Sequence, residues 1–144
     1  MSPIDAAIVR RKLGHIMTAL DGLRPLARLG VTEYRERLYE RKAAERLLQE
    51  AIEAALDINA HLIAELGREI PDDYYGGFIK LGEAGVLTPD FARAIAPSAG
   101  LRNRRGHEYD AIDDAKVLGA IATILDSYPR FIGAIEAYLG KAGL

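Results

Sequence analysis

The chain has 144 residues, a length that suits one hydrophobic core, and we expect residues 1–144 to form a single domain. It contains no cysteine, which excludes disulfides, thiolate metal sites and cysteine nucleophiles and leaves three histidines and the carboxylates as candidate ligands or proton carriers. The net charge of −2 excludes a uniformly basic domain that coats a nucleic-acid duplex, so any polyanion has to be bound locally.

The chain has none of the features of a membrane or exported protein. No apolar run approaches the roughly 20 residues that a membrane-spanning helix needs. The N-terminus also lacks the basic, apolar and small-residue order of a signal peptide. We therefore expect a cytoplasmic protein with no membrane partner.

Apolar residues recur at spacings of three and four, and β-branched alternation is nearly absent, which predicts an all-α domain. A first helix is predicted from near Pro3, with Pro25 bending or ending it. A turn at Gly30 and an N-cap at Thr32 are predicted to follow.

The next segment, 33–66, is predicted to be one long central helix that ends at Gly67. Asn59 falls on or beside its apolar stripe, where a polar residue commonly fixes register or pairs across a helix interface. A short helix is predicted over 72–81, where Tyr74 and Tyr75 are expected to cover core surface.

Thr88, Pro89 and Asp90 predict the start of another helix, because they supply an N-cap, a proline in the first turn and an acid at the positive end of the dipole. This helix is expected to end near 97–100. A final helix is predicted from about Ile112, with an interruption at Pro129.

The chemically richest stretch lies between these last two helices. It reads, in order, Arg102, Asn103, Arg104, Arg105, Gly106, His107, Glu108 and Tyr109. Arginine can hold a phosphate through its planar fork of donors, histidine transfers protons near neutral pH, and a tyrosine hydroxyl can be modified. With Arg93, the arginines form the densest positive cluster of the sequence. The combination suits chemistry on a phosphodiester.

A straight helix cannot bring all three functional side chains together. At about 100° per residue, Arg102 and Tyr109 nearly eclipse while His107 lies off that line. Gly106 lowers helix propensity, so a turn or helix junction is predicted between Arg102 and His107. From the residues alone, a solvated arginine-rich turn remains an equal alternative. His15 and His61 are expected to pack on helices or face solvent, because neither has a second histidine three or four positions away.

The order Arg102, four residues, His107, one residue, Tyr109 resembles the R-x4-H-x-Y signature of HepT-like toxins of the HEPN superfamily. Residues 55–64 are also similar to the long central helix of that family, and 71–74 to its middle segment. The resemblance implies an antiparallel bundle of four to six helices. It also implies a metal-independent RNA endonuclease toxin that needs no cofactor and acts as a homodimer whose two motifs line a shared cleft.

The same resemblance implies the roles of individual residues. Arg102 and His107 would be the catalytic pair, and Tyr109 would be the residue to which a partner antitoxin, an MNT-type nucleotidyltransferase, transfers AMP from ATP. The neighbouring residues would support the site or position the RNA, and they are Asn103, Arg104 and Arg105.

Gly106 departs from the family pattern, because relatives usually carry an apolar residue directly before the histidine. A non-catalytic nucleotide-binding or adaptor module that partners a nucleotidyltransferase is therefore the alternative function. A plain dimerisation bundle is a third.

Overall fold

The structure is a computed structural model that describes the backbone of residues 4–107 and 114–144 and the side chains of 4–101 and 114–144. This part of the chain forms six α-helices and two 3-10 helices, and it contains no strand. In chain order they are α1 (Ala6–Leu23), a 3-10 turn (Leu26–Arg28), α2 (Val31–Glu36), α3 (Leu38–Glu65), α4 (Tyr74–Glu83), α5 (Pro89–Ile95), a long 3-10 helix (Ala96–His107) and α6 (Asp114–Lys141). The predicted all-α fold is confirmed. None of the described helices is both long and apolar enough to cross a bilayer.

Helices α1 and α3 form the largest packed pair and run antiparallel. The backbone N–H of Asp5, at the start of α1, donates to Nε2 of His61 near the end of α3, at 3.2 Å. Gly22, near the end of α1, lies against Leu47 in the first half of α3, where a Cβ on the glycine would come within 2.8 Å of Leu47 Cδ1. The absence of a side chain at Gly22 thus allows the two helices to approach closely.

Helix α6 completes the core on another side of α1 and also runs antiparallel to it. Arg10, in the first half of α1, pairs with Glu136 in the second half of α6 at 3.5 Å. The Phe131 ring of α6 meets the Phe78 ring of α4 edge to face, with centroids 5.7 Å apart. Both phenylalanines are fully buried, so this aromatic contact joins α4 and α6 at the centre of the bundle.

Two helix starts differ from the sequence prediction. Helix α1 begins at Ala6 rather than near Pro3, because the Asp5 side chain caps it by accepting from the backbone N–H of Ile8 at 3.2 Å. Helix α2 begins with Gly30 as N-cap rather than Thr32. Glu33 accounts for this, since its Oε1 accepts from the backbone N–H of Gly30 at 3.4 Å.

The predicted single helix over 33–66 is broken at Arg37, which has φ −105° and ψ 88° and separates α2 from α3. The reason lies in packing: Tyr34 of α2 is only 1% exposed, and α2 contacts both α3 and α6. If the helix were continuous, the axis of α3 would determine where the Tyr34 side chain points. The break lets α2 turn this aromatic side chain into the core.

The end of α3 is where the sequence placed it. Gly67 has φ 66°, and the backbone N–H of Arg68 donates back to the carbonyl of Ile63 at 3.1 Å, which closes the helix with a left-handed residue. Helix α3 has 28 residues and therefore spans about 42 Å.

The starts of α4 and α5 also follow their local sequence signals. Asp73 accepts from the backbone N–H of Gly76 at 2.7 Å, and Thr88 accepts from that of Phe91 at 3.2 Å. Thr88 is therefore the predicted N-cap of α5. Tyr74 and Tyr75 do not cover the core as expected, because they are 52% and 46% exposed.

Helix α6 is not interrupted at Pro129, contrary to the prediction. It continues from Asp114 to Lys141 with the proline inside it. The proline removes one backbone hydrogen bond, which costs about 3 kcal/mol relative to alanine. Helix α6 is nevertheless buried on both sides of the proline, at Ile124 and Ile135, and this apolar burial outweighs the local cost.

Candidate active site

The predicted catalytic segment lies at the end of the long 3-10 helix. The backbone of Arg102, Asn103, Arg104, Arg105 and His107 belongs to this helix, Ala96–His107. Their side chains and the whole of Tyr109 lie outside the described residues. The described 3-10 helix continues through Gly106 to His107, and residues 108–113 lie outside the described part of the chain. The predicted junction between Arg102 and His107 is thus wrong in position, because the helix type changes earlier, at Ala96.

The first half of this 3-10 helix has the burial pattern that its geometry requires. Two buried residues are followed by one exposed residue, and the pattern repeats every three positions from Ile95 to Gly100. A 3-10 helix has 3.0 residues per turn, so a period of three places the buried positions along one side. Ala96 and Ala99 lie on that side, and Leu101 packs partly against the core. The segment is held against α3, α4 and α5 by this side.

A buried hydrogen bond attaches the 3-10 helix to α6. The Oγ of Ser98 lies 2.8 Å from the hydroxyl of Tyr128, and the two side chains are almost completely buried. Burial raises the pKa of the Tyr128 phenol far above its ordinary value, and the hydrogen bond with Ser98 lowers it in part. The phenol is therefore neutral at physiological pH. Sequence reasoning missed this pair, because the two residues are 30 positions apart and neither belongs to a motif.

The beginning of α6 is attached to the bundle by a second polar contact. Nε of Arg35, in α2, lies 3.3 Å from Oδ2 of Asp114, the first described residue of α6. The Asp114 side chain is only 13% exposed, which strengthens the pair relative to a fully solvated one. The described chain is thus fixed both before and after the segment that carries the signature.

Two arginines beside α5 bear on the predicted basic cluster. Arg93 pairs with Asp90 one helical turn earlier in α5, which places a carboxylate directly beside this arginine. Arg130 of α6 places its guanidinium over the Phe91 ring, 4.7 Å from the centroid. Arg130 is thus a further cation beside α5. It was not predicted as part of the basic cluster, because it is far from the signature in the sequence.

The other two histidines lie on α1 and α3, outside the signature. His61 accepts the backbone N–H of Asp5, which makes it part of the α1 to α3 contact. His15 lines an open cavity of about 340 Å³ with Lys12, Glu53 and Asp57. Within the described part of the chain, no group of three or more histidine or carboxylate side chains is placed to hold a metal ion.

Two sequence comparisons match this chain to the same family of proteins. The sequence profile of the family described as Ribonuclease HepT-like matches residues 16–135, a range that includes the whole signature. A protein named tRNA nuclease HepT, from Aphanizomenon flos-aquae, is 38% identical over 139 residues, which are 96% of this chain and 95% of that protein.

Solved structures with the same fold include two that superpose over nearly the whole chain. A tri-AMPylated HEPN toxin of Shewanella oneidensis in complex with its MNT antitoxin has a TM-score of 0.78 at 21% identity, covering 90% of this chain and 97% of that chain. YutE of Bacillus subtilis, a cytosolic protein of unknown function, has a TM-score of 0.83 at 18% identity, covering 99% and 95%. At these identities the structures establish the shared helical fold.

Proposed function

Because the chain belongs to the HepT-like ribonuclease family of the HEPN superfamily, we propose that it is an RNA endonuclease toxin that uses Arg102 and His107 and no metal ion. The observation that carries this proposal is the signature at 102–109, which lies inside the range that matches the family. The nuclease name of the relative that is 38% identical supports it. In this proposal residues 1–144 act as one domain, in the cytoplasm, where the RNA substrate is found.

The proposed reaction transfers the phosphoryl group within the RNA. The 2′-oxygen of one ribose forms a bond to the adjacent phosphorus, and the bond from phosphorus to the 5′-oxygen breaks. The products are a 2′,3′-cyclic phosphate and a 5′-hydroxyl end. His107 would accept the proton of the 2′-hydroxyl or donate one to the leaving 5′-oxygen, a role that typically contributes about 10² to 10⁴ in rate.

Arg102 would stabilise the negative charge that develops on the phosphoryl oxygens, because its two parallel N–H donors fit a phosphate better than a lysine does. Arg104 and Arg105 would position the RNA backbone, and Asn103 would support the site. The attachments of the described chain at Ser98 and Asp114 favour this assignment, since a phosphate-binding group works best when its backbone is already fixed.

The proposed assembly is a homodimer with the two signatures lining one cleft, inhibited by an MNT-type nucleotidyltransferase. This antitoxin would transfer AMP from ATP to Tyr109: the phenolic oxygen bonds to the α-phosphorus, pyrophosphate leaves, and the phenolic proton is released. The added group carries a negative phosphodiester two residues from His107. It would therefore compete with RNA for the same arginines.

The nuclease assignment is tested by cleavage of tRNA and of a messenger transcript with purified protein. His107→Gln and Arg102→Lys should each lower the rate at least 100-fold, and the 3′ ends made by the native protein should be cyclic phosphates. His15→Gln is the matched control, because His15 lies in α1 outside the signature, and it should cleave at the native rate. Undiminished cleavage by His107→Gln would contradict the mechanism, and no cleavage by the native protein would favour the adaptor function.

The modification is tested by co-expression with a nucleotidyltransferase encoded beside this gene. Intact-mass measurement should find the native chain carrying AMP, and Tyr109→Phe should remain unmodified while still arresting growth. Full modification of Tyr109→Phe would place the acceptor elsewhere. Tyr39→Phe, a change in an 84% exposed tyrosine of α3, serves as the control and should be modified like the native chain.

A further inference from the structure

Ser98 is the only polar residue among the described side chains of the long 3-10 helix, 96–101. This helix packs against α3, α4 and α5, and its buried apolar side chains are Ala96 and Ala99. A methyl group buries little surface, and apolar burial has no preferred direction. The packing therefore holds the 3-10 helix against the bundle but determines its position along its own axis only weakly.

The hydroxyl that meets Ser98 belongs to a side chain that is held on its other sides by aromatic contacts. Tyr128 of α6 is completely buried, and its ring centroid lies 6.2 Å from that of Phe131. The Phe131 ring in turn meets Phe78 of α4 edge to face. Such close-packed rings do not shift without disturbing their neighbours. The Tyr128 hydroxyl is thus a fixed reference position on α6.

The hydrogen bond between the two side chains depends on their relative position. The oxygens are 2.8 Å apart, and an O–H···O hydrogen bond needs a separation of about 2.5–3.0 Å. A 3-10 helix rises about 2.0 Å per residue, so a slide by one residue would break the bond. Arg102 follows Ser98 by four residues, which is about 8 Å along the axis. The contact therefore fixes the position of the backbone that carries Arg102.

Neither hydroxyl can take part in the chemistry directly. Ser98 is 4% exposed and Tyr128 is fully enclosed, so neither reaches a substrate at the surface. Any effect of the pair on the proposed reaction has to pass through the backbone of the 3-10 helix. Such an effect is large when a functional group must be held within about 0.5 Å, because a misplacement of about 1 Å can lower a rate about 10²-fold.

We propose that Ser98 and Tyr128 are positioning residues, which hold the backbone of Arg102 where phosphate binding requires it. The proposal rests on the nuclease function proposed above and adds to it two residues outside the signature. The contact orders the 3-10 helix before RNA binds. Its loss should therefore weaken the binding of RNA more than it slows the chemical step.

The kinetic test is cleavage of tRNA by the full-length protein over a range of tRNA concentrations. Tyr128→Phe should raise KM at least fivefold and change kcat less than twofold. A purely structural loss of stability would instead reduce the fraction of active protein, which lowers the apparent kcat and leaves KM unchanged. Native KM in Tyr128→Phe would overturn the proposal.

Gly67→Ala is the matched control for stability. It strains the left-handed residue that follows α3 and so destabilises the fold without touching the 3-10 helix. This variant should keep the native KM. A rise in KM equal to that of Tyr128→Phe would mean that any loss of stability has this effect, which would overturn the positioning role.

The double variant Ser98→Ala with Tyr128→Phe separates positioning from stability. It leaves neither hydroxyl buried and unpaired, so it should retain more stability than the sum of the two single losses predicts. Its KM should nevertheless stay raised at least fivefold, because the directional contact is still missing. A return of KM to the native value in the double variant would overturn the proposal.

Arg102→Lys shows whether the pair acts through Arg102. If it does, Tyr128→Phe should change the KM of an Arg102→Lys protein less than twofold, because the group that the pair positions has already been altered. A full fivefold rise in KM in that background would overturn the connection to Arg102.

Hydrogen exchange without RNA distinguishes failure of this proposal from failure of the nuclease function. In Tyr128→Phe the backbone amides of 101–105 should exchange at least tenfold faster than in Gly67→Ala. This acceleration in a protein that cleaves no RNA would contradict the nuclease function alone. Equal exchange in the two variants would overturn the positioning role even if the native protein cleaves RNA.

Discussion

The hydroxyl of Tyr128 meets the hydroxyl of Ser98 at 2.8 Å inside the core, and this contact joins α6 to the 3-10 helix that carries Arg102. It is a buried polar link between the helix that contains residues 102–107 of the signature and the helix that follows the signature. Because both side chains are nearly inaccessible to water, neither hydroxyl can exchange its partner for solvent. The pair therefore sets the position of the 3-10 helix relative to α6.

Tyr128→Phe should lower the free energy of unfolding by about 1–2 kcal/mol, because it leaves the Ser98 hydroxyl buried and unpaired. Urea denaturation followed by circular dichroism measures the loss. The double variant with Ser98→Ala should lose less than the sum of the two single variants. Tyr138→Phe, a partly buried tyrosine of the same helix, is the control and should change stability little. Strict additivity of the single variants would contradict a direct pair.

Stability should fall at alkaline pH. Burial raises the pKa of Tyr34 to about 12, helped by the carboxylates of Glu45 and Asp114 and opposed by Arg41. An unfolded tyrosine loses its proton near pH 10. Between about pH 10 and pH 12 the unfolded chain therefore binds fewer protons than the folded one, and the free energy of unfolding decreases as pH rises.

The measurement is urea denaturation from pH 8 to pH 11. Below about pH 10 the Tyr34 phenol should not make the free energy of unfolding depend on pH. Tyr34→Phe should make the decline above pH 10 shallower, whereas Tyr39→Phe, at an 84% exposed position, should leave it unchanged. An identical decline in Tyr34→Phe and native protein would contradict the raised pKa.

Gly67 should be one of the few glycines that the fold cannot replace. Its φ of 66° strains any other residue, and a Cβ there would meet nothing within 4 Å, so the cost is purely one of backbone conformation. Gly67→Ala should lower the free energy of unfolding by about 1–2 kcal/mol. Gly14→Ala, in open space within α1, should instead raise it by about 0.5–1 kcal/mol. Thermal denaturation of the two variants should thus shift in opposite directions.

Pro129→Ala should stabilise the protein. Alanine supplies the backbone N–H that the carbonyl of Leu125 lacks, a gain of up to about 3 kcal/mol, and the freer unfolded chain offsets about 0.4–1 kcal/mol of it. The melting temperature should therefore rise. A lower melting temperature would mean that the helix is bent at this point to fit the core, and that straightening it disturbs the packing of Phe131.

The parts of the fold that sequence predicted correctly are those set by neighbouring residues. Thr88 caps α5 and Gly67 ends α3 because each acts on backbone groups within about four positions. Arg37 and Pro129 show the opposite case. The break at Arg37 and the continuity at Pro129 depend on which side chains reach the core, and that is decided by helices distant in sequence.

The candidate site also has a part set by neighbouring residues and a part set by contacts distant in sequence. The residue types and spacing of Arg102, His107 and Tyr109 suggest the family and the chemistry, because the signature is local. The pairing of Ser98 with Tyr128 could not be predicted, since a hydroxyl pair 30 positions apart leaves no periodic or compositional signal.

The break at Arg37 has a consequence for the entropy of substrate binding. It lets α2 bring Arg35 to Asp114, while Ser98 holds the 3-10 helix against α6. The described residues before and after the signature are therefore ordered when the bundle folds, before the proposed RNA substrate binds. Loss of either contact would move part of that ordering cost into the binding of the substrate.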